Sequence, residues 1–500
     1  PGGHNEPGRA GGYGGGRLSA SALMGIDLGS TGVRAAVFSA DGRQLGSDYG
    51  ELAAAFPQPG WVEQDPEEMW QATVAVIRGC LETSGLGGAD LAAIGIANQR
   101  SSVMAWEAGT LRPLSAMIGW QDTRTEERCN ELLEQGFFVS PLMAASKAEW
   151  IINNEKRAGD AARAGTLRIA FPNSWLAAKL TGSAHVTDRA NASATGFYGH
   201  LDACWDGSVM DALGVEQAWL PEIVESAQQV GLTTADLLGA EVPVAGMCGD
   251  QQASLFGLAC RATGATKCSF GTAAMLDTNT GDTVALGGPG TYPLVAWSTK
   301  ERTAYCVEAT VVTAGAAVQW LRDGLGLVKD AGETSELAMS VSDSGGVWAV
   351  PAFQGLGTPE MDSSARAVIG GLSRGSGPAE ICRAVLDGVA HRVTDAAESL
   401  WQATSRPEVL RVDGGASRND YLMGRQADLL GIAVERGVVT DGAVVGVAGL
   451  AGLGAGVWES EAELGGLWQL DRRFEPGLSE DERGGQRELW AKRLGAVRPG

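Results

Sequence analysis

Asp27, Arg34 and Asp250 are the residues of this 500-residue chain whose types and surroundings best suit phosphoryl chemistry. Asp27 and Arg34 flank a turn of glycine and small hydroxyl residues in Ile26-Asp27-Leu28-Gly29-Ser30-Thr31-Gly32-Val33-Arg34. A carboxylate there can hold Mg²⁺, directly or through water, against nucleotide phosphates. An arginine can neutralise the oxygens of a phosphoryl group in transfer. Asp250, in Cys248-Gly249-Asp250-Gln251-Gln252, follows a strand-like run at 242–246 and precedes an apolar helix. An acid at the C-terminal end of a strand sits where α/β proteins bind ligands. It could take the proton of a substrate hydroxyl during phosphoryl transfer. The plainer alternatives are a turn-capping Asp27, a solvated Arg34 on a strand, and Asp250 as a helix cap.

These residues need elements to hold them, and the chain shows one such element twice. Residues 23–38 read as strand, Gly and hydroxyl turn, strand, and so do residues 265–276, through Ser269-Phe270-Gly271-Thr272-Ala273. Such a turn can present unpaired backbone N–H groups in one direction, which makes a phosphate-binding concavity. Two of them half a chain apart suggest two related halves gripping one nucleotide. A third strand after the Asp41-Gly42 turn completes a meander. Asp65-Pro66-Glu67-Glu68 then signals a helix start, with Pro at the first position and acids in the first turn. The apolar run 91–97 reads as a strand buried on both faces. Pro378 opens a further helix, and another begins near Asn419 and stops at Gly431. Strands alternating with helices point to the α/β class. Val412-Asp413-Gly414-Gly415-Ala416 reads as strand and double glycine before a helix, a surface on which an adenine could lie. The chain has no G-x-x-x-x-G-K-[ST], so the P-loop route to ATP is excluded.

Composition bounds the partners. A net charge of −22 argues against nucleic acid, whose phosphates need basic patches. No apolar run reaches the roughly 18 residues of a membrane span. Eight scattered cysteines without a C-x-x-C pair are expected to be free thiols of a cytoplasmic protein. Four dispersed histidines do not suit a zinc site. Residues 1–22 are Gly-rich and read as a flexible leader.

From Leu23 to about Trp458 the chain resembles the FGGY carbohydrate kinases of the actin-like ATPase superfamily, glycerol kinases above all. The motifs that carry this are Pro59-Gly60-Trp61-Val62-Glu63-Gln64-Asp65-Pro66, Asn98-Gln99-Arg100, Trp120-Gln121-Asp122-Thr123-Arg124, Gly249-Asp250-Gln251-Gln252, the run 314–323 and the run 351–357. The resemblance implies an actin-like, ribonuclease H-like fold of two domains, 23–258 and 259–500, flanking a cleft. It implies ATP and Mg²⁺, with Asp250 as general base and Asp27 and Asp250 around the metal. Ser30, Thr31 and Arg34 would meet the γ-phosphate, and Gly271 and Thr272 the β-phosphate. Gly315, Gln319, Gly415, Ala416 and Asn419 would surround the nucleoside. Arg100, Trp120, Asp250 and Gln251 would contact a polyol or sugar-like acceptor, and dimers or tetramers are common among such enzymes.

Departures from the glycerol kinase pattern fall in the acceptor pocket. Ser101 stands where a glutamate is usual, Leu142 where a tyrosine is usual, and Met275 where an aromatic residue helps enclose glycerol. Ala148 and Ala273 also depart. Losing a carboxylate and a phenol removes partners for small hydroxyls and opens volume. The expected acceptor is therefore larger, less hydroxylated or more anionic than glycerol, with glycerol itself as the alternative. An actin-like ATPase of another kind, or a non-catalytic sensor derived from a kinase, would share the fold. The pocket motifs at 120–122 and 249–251 argue against the first, and the retention of Asp27, Arg34 and Asp250 together weighs against the second.

Overall fold

A computed structural model describes residues 22–497. The leader expected at 1–22 lies, apart from Ala22, outside the described residues. The first sheet opens with the meander β1 (Ala22–Leu28), β2 (Gly32–Phe38) and β3 (Gln44–Glu51). Helix α1 (Pro66–Ser84) follows; the Asp65 carboxylate accepts from the N–H groups of Glu67 and Glu68, and Gly85 ends the helix at φ 69°. Then come β4 (Leu91–Asn98), α2 (Ala144–Asn154), β5 (Pro243–Gly249) and α3 (Asp250–Gly257). The strand order is β3-β2-β1-β4-β5, with a short strand, Gly231–Leu232, outside β5. The meander is antiparallel, whereas β4 and β5 run parallel to β1.

The second sheet repeats this plan. Strands β6 (Thr266–Phe270), β7 (Ala274–Gly281), β8 (Tyr292–Ser298) and β9 (Thr303–Val311) lead into the short helix α4 (Gly315–Gln319). Next are α5 (Pro378–Leu400), β10 (Val409–Asp413), α6 (Asp420–Leu430), β11 (Ala433–Gly437), α7 (Gly442–Gly454) and β12 (Leu470–Phe474). The order is β8-β9-β7-β6-β10-β11-β12. Its inner five strands, β9-β7-β6-β10-β11, match β3-β2-β1-β4-β5 in order and in direction. Two ribonuclease H-like sheets of one topology define the two-domain actin-like fold.

The halves are joined through α3 and α7. Helix α7, which follows the last parallel strand of the second half, lies on the first sheet. Gly25, Gly95 and Gly246 are aligned neighbours on β1, β4 and β5. A Cβ at Gly25 or Gly95 would stand 2.0 Å from the carbonyl oxygen of Val444 or Val447, and one at Gly246 2.5 Å from the nitrogen of Ala451. Backbone therefore rests on backbone across three strands. Helix α3 meets α7 as closely, since a Cβ at Gly446 would lie 1.8 Å from Ala253 O. On its other side α3 packs against β6, β7 and β8. The N-terminus of α7 at Gly442 thus lies against Ser254 and Gly257 of α3, where Asp413 at the end of β10 also arrives.

Candidate active site

Four aspartates and one arginine gather there. Asp27 ends β1, Asp250 opens α3, Asp413 ends β10, and Asp441 precedes α7. Asp27 is partly buried, and desolvation of its carboxyl first, then the charge of Asp250, lifts it to about 7, with Arg34 opposing and Asp413 adding. Asp413 accepts from Ser254 Oγ at 2.8 Å and from the Gly442 N–H at 3.0 Å, so it ties α3 to the N-terminus of α7. Arg34 reaches across from β2 to pair with Asp441, its face toward the Tyr49 ring. An excess of carboxylates over cations at one point calls for a cation.

Among the described residues no three His, Cys, Asp or Glu side chains form a ready-made metal cluster. Asp27 Oδ1 and Asp413 Oδ1 are nevertheless buried without a donor. That donor set, oxygen only and incomplete, suits Mg²⁺, which keeps waters and takes phosphate oxygens alongside one or two carboxylates.

Two of the residues expected at the acceptor, Arg100 and Gln251, meet at Asp250. Its Oδ1 accepts from the Gln251 N–H at 2.9 Å and lies 3.4 Å from Arg100 Nε; its Oδ2 accepts from Gln251 Nε2 at 3.2 Å. Arg100 Nη2 sits 2.9 and 2.8 Å from the two oxygens of Glu308, on β9 of the second half. Glu308 is fully buried; burial pushes its carboxyl up and Arg100 draws it back. Trp120 Nε1 donates to Ser30 Oγ at 3.0 Å, which joins the acceptor pocket to the first phosphate turn. Lys147, on α2, donates to the carbonyls of Gly119 (2.9 Å) and Trp120 (3.1 Å). The neighbouring Asp122 is taken by Arg124, whose guanidinium lies over the Trp61 ring and near that of Trp150, the two rings meeting edge to face.

The three departing positions lie as follows. Ser101 has φ 62°, uncommon for a residue with a side chain, and its hydroxyl donates to Ala194 O at 2.8 Å. Leu142 is half exposed in the turn before α2. Met275 is partly buried on β7, opposite Ser269 on one side and Thr310 on the other.

Around the second turn, the N–H groups of Ala314 and Ala316 donate to Thr272 O, and that of Gly315 to Gly271 O. A Cβ at Gly315 would stand 2.5 Å from Gly271 O and 3.8 Å from the methyl of Ala416. Gly271, Thr272, Gly315 and Ala416 therefore meet, with open space over Gly415. Gln319 is exposed at the end of α4. Asn419 caps α6 through Leu422 N–H and donates to Thr334 Oγ1 at 3.1 Å, so both ends of its amide are engaged.

Lys267 is the residue that motif reading passes over. It is fully buried on β6, 2.9 Å from Asp277, and donates to Gln251 Oε1 at 2.6 Å, Ser269 Oγ at 2.9 Å and Met275 O at 3.3 Å. The signal was there, because Lys267 and Asp277 are charges inside runs that otherwise read as buried strand. Asp441 and Glu308 gave no local signal, since their partners lie 407 and 208 residues away.

A duplicated ribonuclease H-like fold with paired Gly-hydroxyl turns and an acidic cleft is shared by kinases and other ATPases, and comparison with known proteins identifies the family. The N-terminal domain of the FGGY family of carbohydrate kinases matches residues 22–257 and its C-terminal domain residues 266–455. Glycerol kinase 2 of Thermotoga maritima is 40% identical over 473 residues, covering 92% of this chain and 95% of the relative. A glycerol kinase of Aromatoleum aromaticum is 41% identical over 490 residues, covering 96% and 99%. The crystal structure of Plasmodium falciparum glycerol kinase with ADP superposes with TM-score 0.87 at 27% identity, covering 96% and 98%. The chain belongs to the FGGY family of carbohydrate kinases. It is a phosphotransferase with an alcohol group as acceptor. Among the described residues no helix is long and apolar enough to cross a membrane.

Proposed function

We propose that the enzyme transfers the γ-phosphoryl group of ATP to a primary hydroxyl of a neutral polyol or sugar-like molecule, with Asp250 as general base. The observation that carries this reading is the setting of Asp250. Its carboxylate is held from two sides, by Arg100 and by Gln251, at a helix N-terminus between the two phosphate turns. An acceptor hydroxyl resting on it would face a γ-phosphoryl group in the first turn, where positioning does most of the catalysis. The acceptor oxygen gives its proton to Asp250 and bonds to phosphorus, while the bond from phosphorus to the bridging oxygen breaks and ADP leaves. Ser30, Thr31 and Arg34 serve the γ-phosphate, and Gly271 and Thr272 the β-phosphate. Gly315, Ala416 and Gly415 line the nucleoside surface, with Gln319 and Asn419 at its border. Asp27, whose Oδ1 has no donor, and Asp250 would hold Mg²⁺, which would neutralise phosphate charge. Arg34 must leave Asp441 to meet the phosphates.

The pairing of Arg100 supports one of the substrate classes that the altered pocket left open. Its guanidinium is already matched by Glu308 and Asp250. It offers no spare charge to an anion, which favours a neutral acceptor. Glycerol remains the second reading, because relatives about 40% identical over nearly the whole chain bear that name.

The test is ADP release with MgATP against glycerol, tetritols, pentitols, ketopentoses, cyclitols, and hydroxylated acids and phosphonates. A neutral polyol or sugar is expected to give the highest kcat/KM. Asp250→Asn should lower kcat about 10³-fold with little change in thermal stability. Preference for an acid or phosphonate would overturn the neutral-acceptor reading, and full activity in Asp250→Asn would overturn the assignment of the base.

A further inference from the structure

Two positions on the first-half wall of the acceptor pocket offer no hydroxyl to a ligand, whereas the second half brings two together. In the first half, Ser101 turns its hydroxyl away to Ala194, and Leu142 has none. In the second half, β8 and β9 bring a phenol and a hydroxyl together, with Tyr292 Oη 3.1 Å from Thr310 Oγ1. The strand register says where they stand. Thr310 is the direct partner of Met275, and Tyr292 the direct partner of Glu308, whose carboxylate holds Arg100 beside Asp250. Tyr292 is thus one strand partner away from the residue that grips Arg100, yet 37% of its surface is open. Glu308 has none of its surface open and cannot itself meet a ligand without rearrangement.

We propose that Tyr292 and Thr310 form the acceptor-specificity wall of this enzyme, hydrogen-bonding hydroxyls of a polyol held between them and Trp120, with Glu308 positioning Arg100 behind them. This deepens the acceptor reading given above and rests on it. Tyr292 supplies the phenol absent at Leu142 from the opposite side of the cleft, and the aromatic surface absent at Met275 from two strands away on the same sheet. Trp120, Arg100 and Asp250 come from the first half, whereas Tyr292 and Thr310 come from the second. The acceptor therefore bridges the halves, and its hydroxyls are matched only when the halves close on it. Closure of this kind excludes water from the transferring group.

Tyr292→Phe tests the proposal because it keeps the ring and removes one oxygen. Steady-state kinetics are measured with the best acceptor of the panel and with its analogue lacking one hydroxyl, and acceptor binding is measured by calorimetry. The acceptor KM is expected to rise about tenfold while the ATP KM stays unchanged, and preference over the deoxy analogue should fall by a similar factor. Thr310→Val should move both quantities the same way by a smaller factor. Unchanged acceptor KM and unchanged preference in both variants would overturn the wall. So would equal rises in the KM of acceptor and ATP, the mark of general disturbance. If the wild type turns over an acceptor and the variants match it, the wall alone falls. If the wild type neither binds nor phosphorylates any compound of the panel, the acceptor reading falls and takes the wall with it.

Discussion

Lys147 and Lys267 are both fully buried, one in each half, and each holds a residue assigned to the acceptor. Lys147 fixes the backbone at Trp120, and Lys267 fixes the side chain of Gln251. Their electrical states differ. Burial pushes the Lys147 ammonium down to about 7, with Asp122 opposing and Arg124 adding. Burial acts on Lys267 as well, but Asp277, Asp413 and Glu308 outweigh it and hold its ammonium above the ordinary value. Arg124 accounts for the contrast, because it takes both oxygens of Asp122 at 2.7–2.9 Å and leaves Lys147 with backbone carbonyls. A buried amine thus keeps its proton when it owns a carboxylate, and tends to lose it when a neighbour owns that carboxylate.

The sharpest way to break the comparison is Lys267→Met. It leaves Asp277 buried with no cation against it and frees Gln251 Oε1 and Ser269 Oγ. Removing one partner of a buried pair costs about 3–5 kcal/mol, which chemical denaturation would read directly. The acceptor KM should rise together with the loss of stability, because Gln251 then orients Asp250 less firmly. A stability loss below about 1 kcal/mol would show that the pair is hydrated and that the contrast with Lys147 is unfounded.

Asp277→Asn converts Lys267 into a lysine of the Lys147 kind. The ammonium keeps Gln251 and Ser269 but loses its close carboxylate, so burial dominates and its folded-state pKa drops below the unfolded value. Between those two values the unfolded chain binds a proton that the folded chain does not, so stability rises with pH. The variant is expected to be about 2 kcal/mol less stable than the wild type at pH 7, with part of the gap recovered by pH 9.5. Denaturation midpoints at the two pH values check this. A gap that does not change with pH would mean that the more distant Asp413 and Glu308 suffice to keep the proton.

What could be seen in the chain before any coordinates follows from how local each signal is. The Asp65 cap, the Pro378 and Gly431 helix limits and both Gly-hydroxyl turns depend on neighbouring residues, and all appear where the residues indicated. Asp27, Arg34 and Asp250 stood out because a charge beside a glycine turn or at a strand end is a local pattern. The glycine row was visible only as three unexplained glycines inside apolar strands. Its meaning is register, because Gly25, Gly95 and Gly246 become one surface only when β1, β4 and β5 pair and α7 arrives from residues 442–454. Tyr292, Glu308 and Asp441 belong to the same class of long-range fact. Chain halves that fold alike can be read from repeated motifs, but side chains that act across the cleft between them cannot.

The smallest expected effect concerns Lys147 itself. Its folded-state value of about 7 lies below the unfolded lysine value of 10.5. Below pH 7 both states are protonated, and folding bears the whole cost of burying the charge. From pH 7 upward the folded state releases its proton while the unfolded state keeps it, so this residue's contribution becomes more favourable as pH rises. Lys147→Met removes the titration along with the bonds to Gly119 and Trp120. The stability of the wild type relative to this variant should therefore grow by about 1 kcal/mol between pH 7 and pH 8, read as the difference between two sets of denaturation curves. Lys267→Met should show no such growth against the wild type, because Lys267 stays protonated in both states over that range. Parallel pH profiles for the two methionine variants would mean that Arg124 does not keep Asp122 from Lys147, and that the two lysines share one state after all.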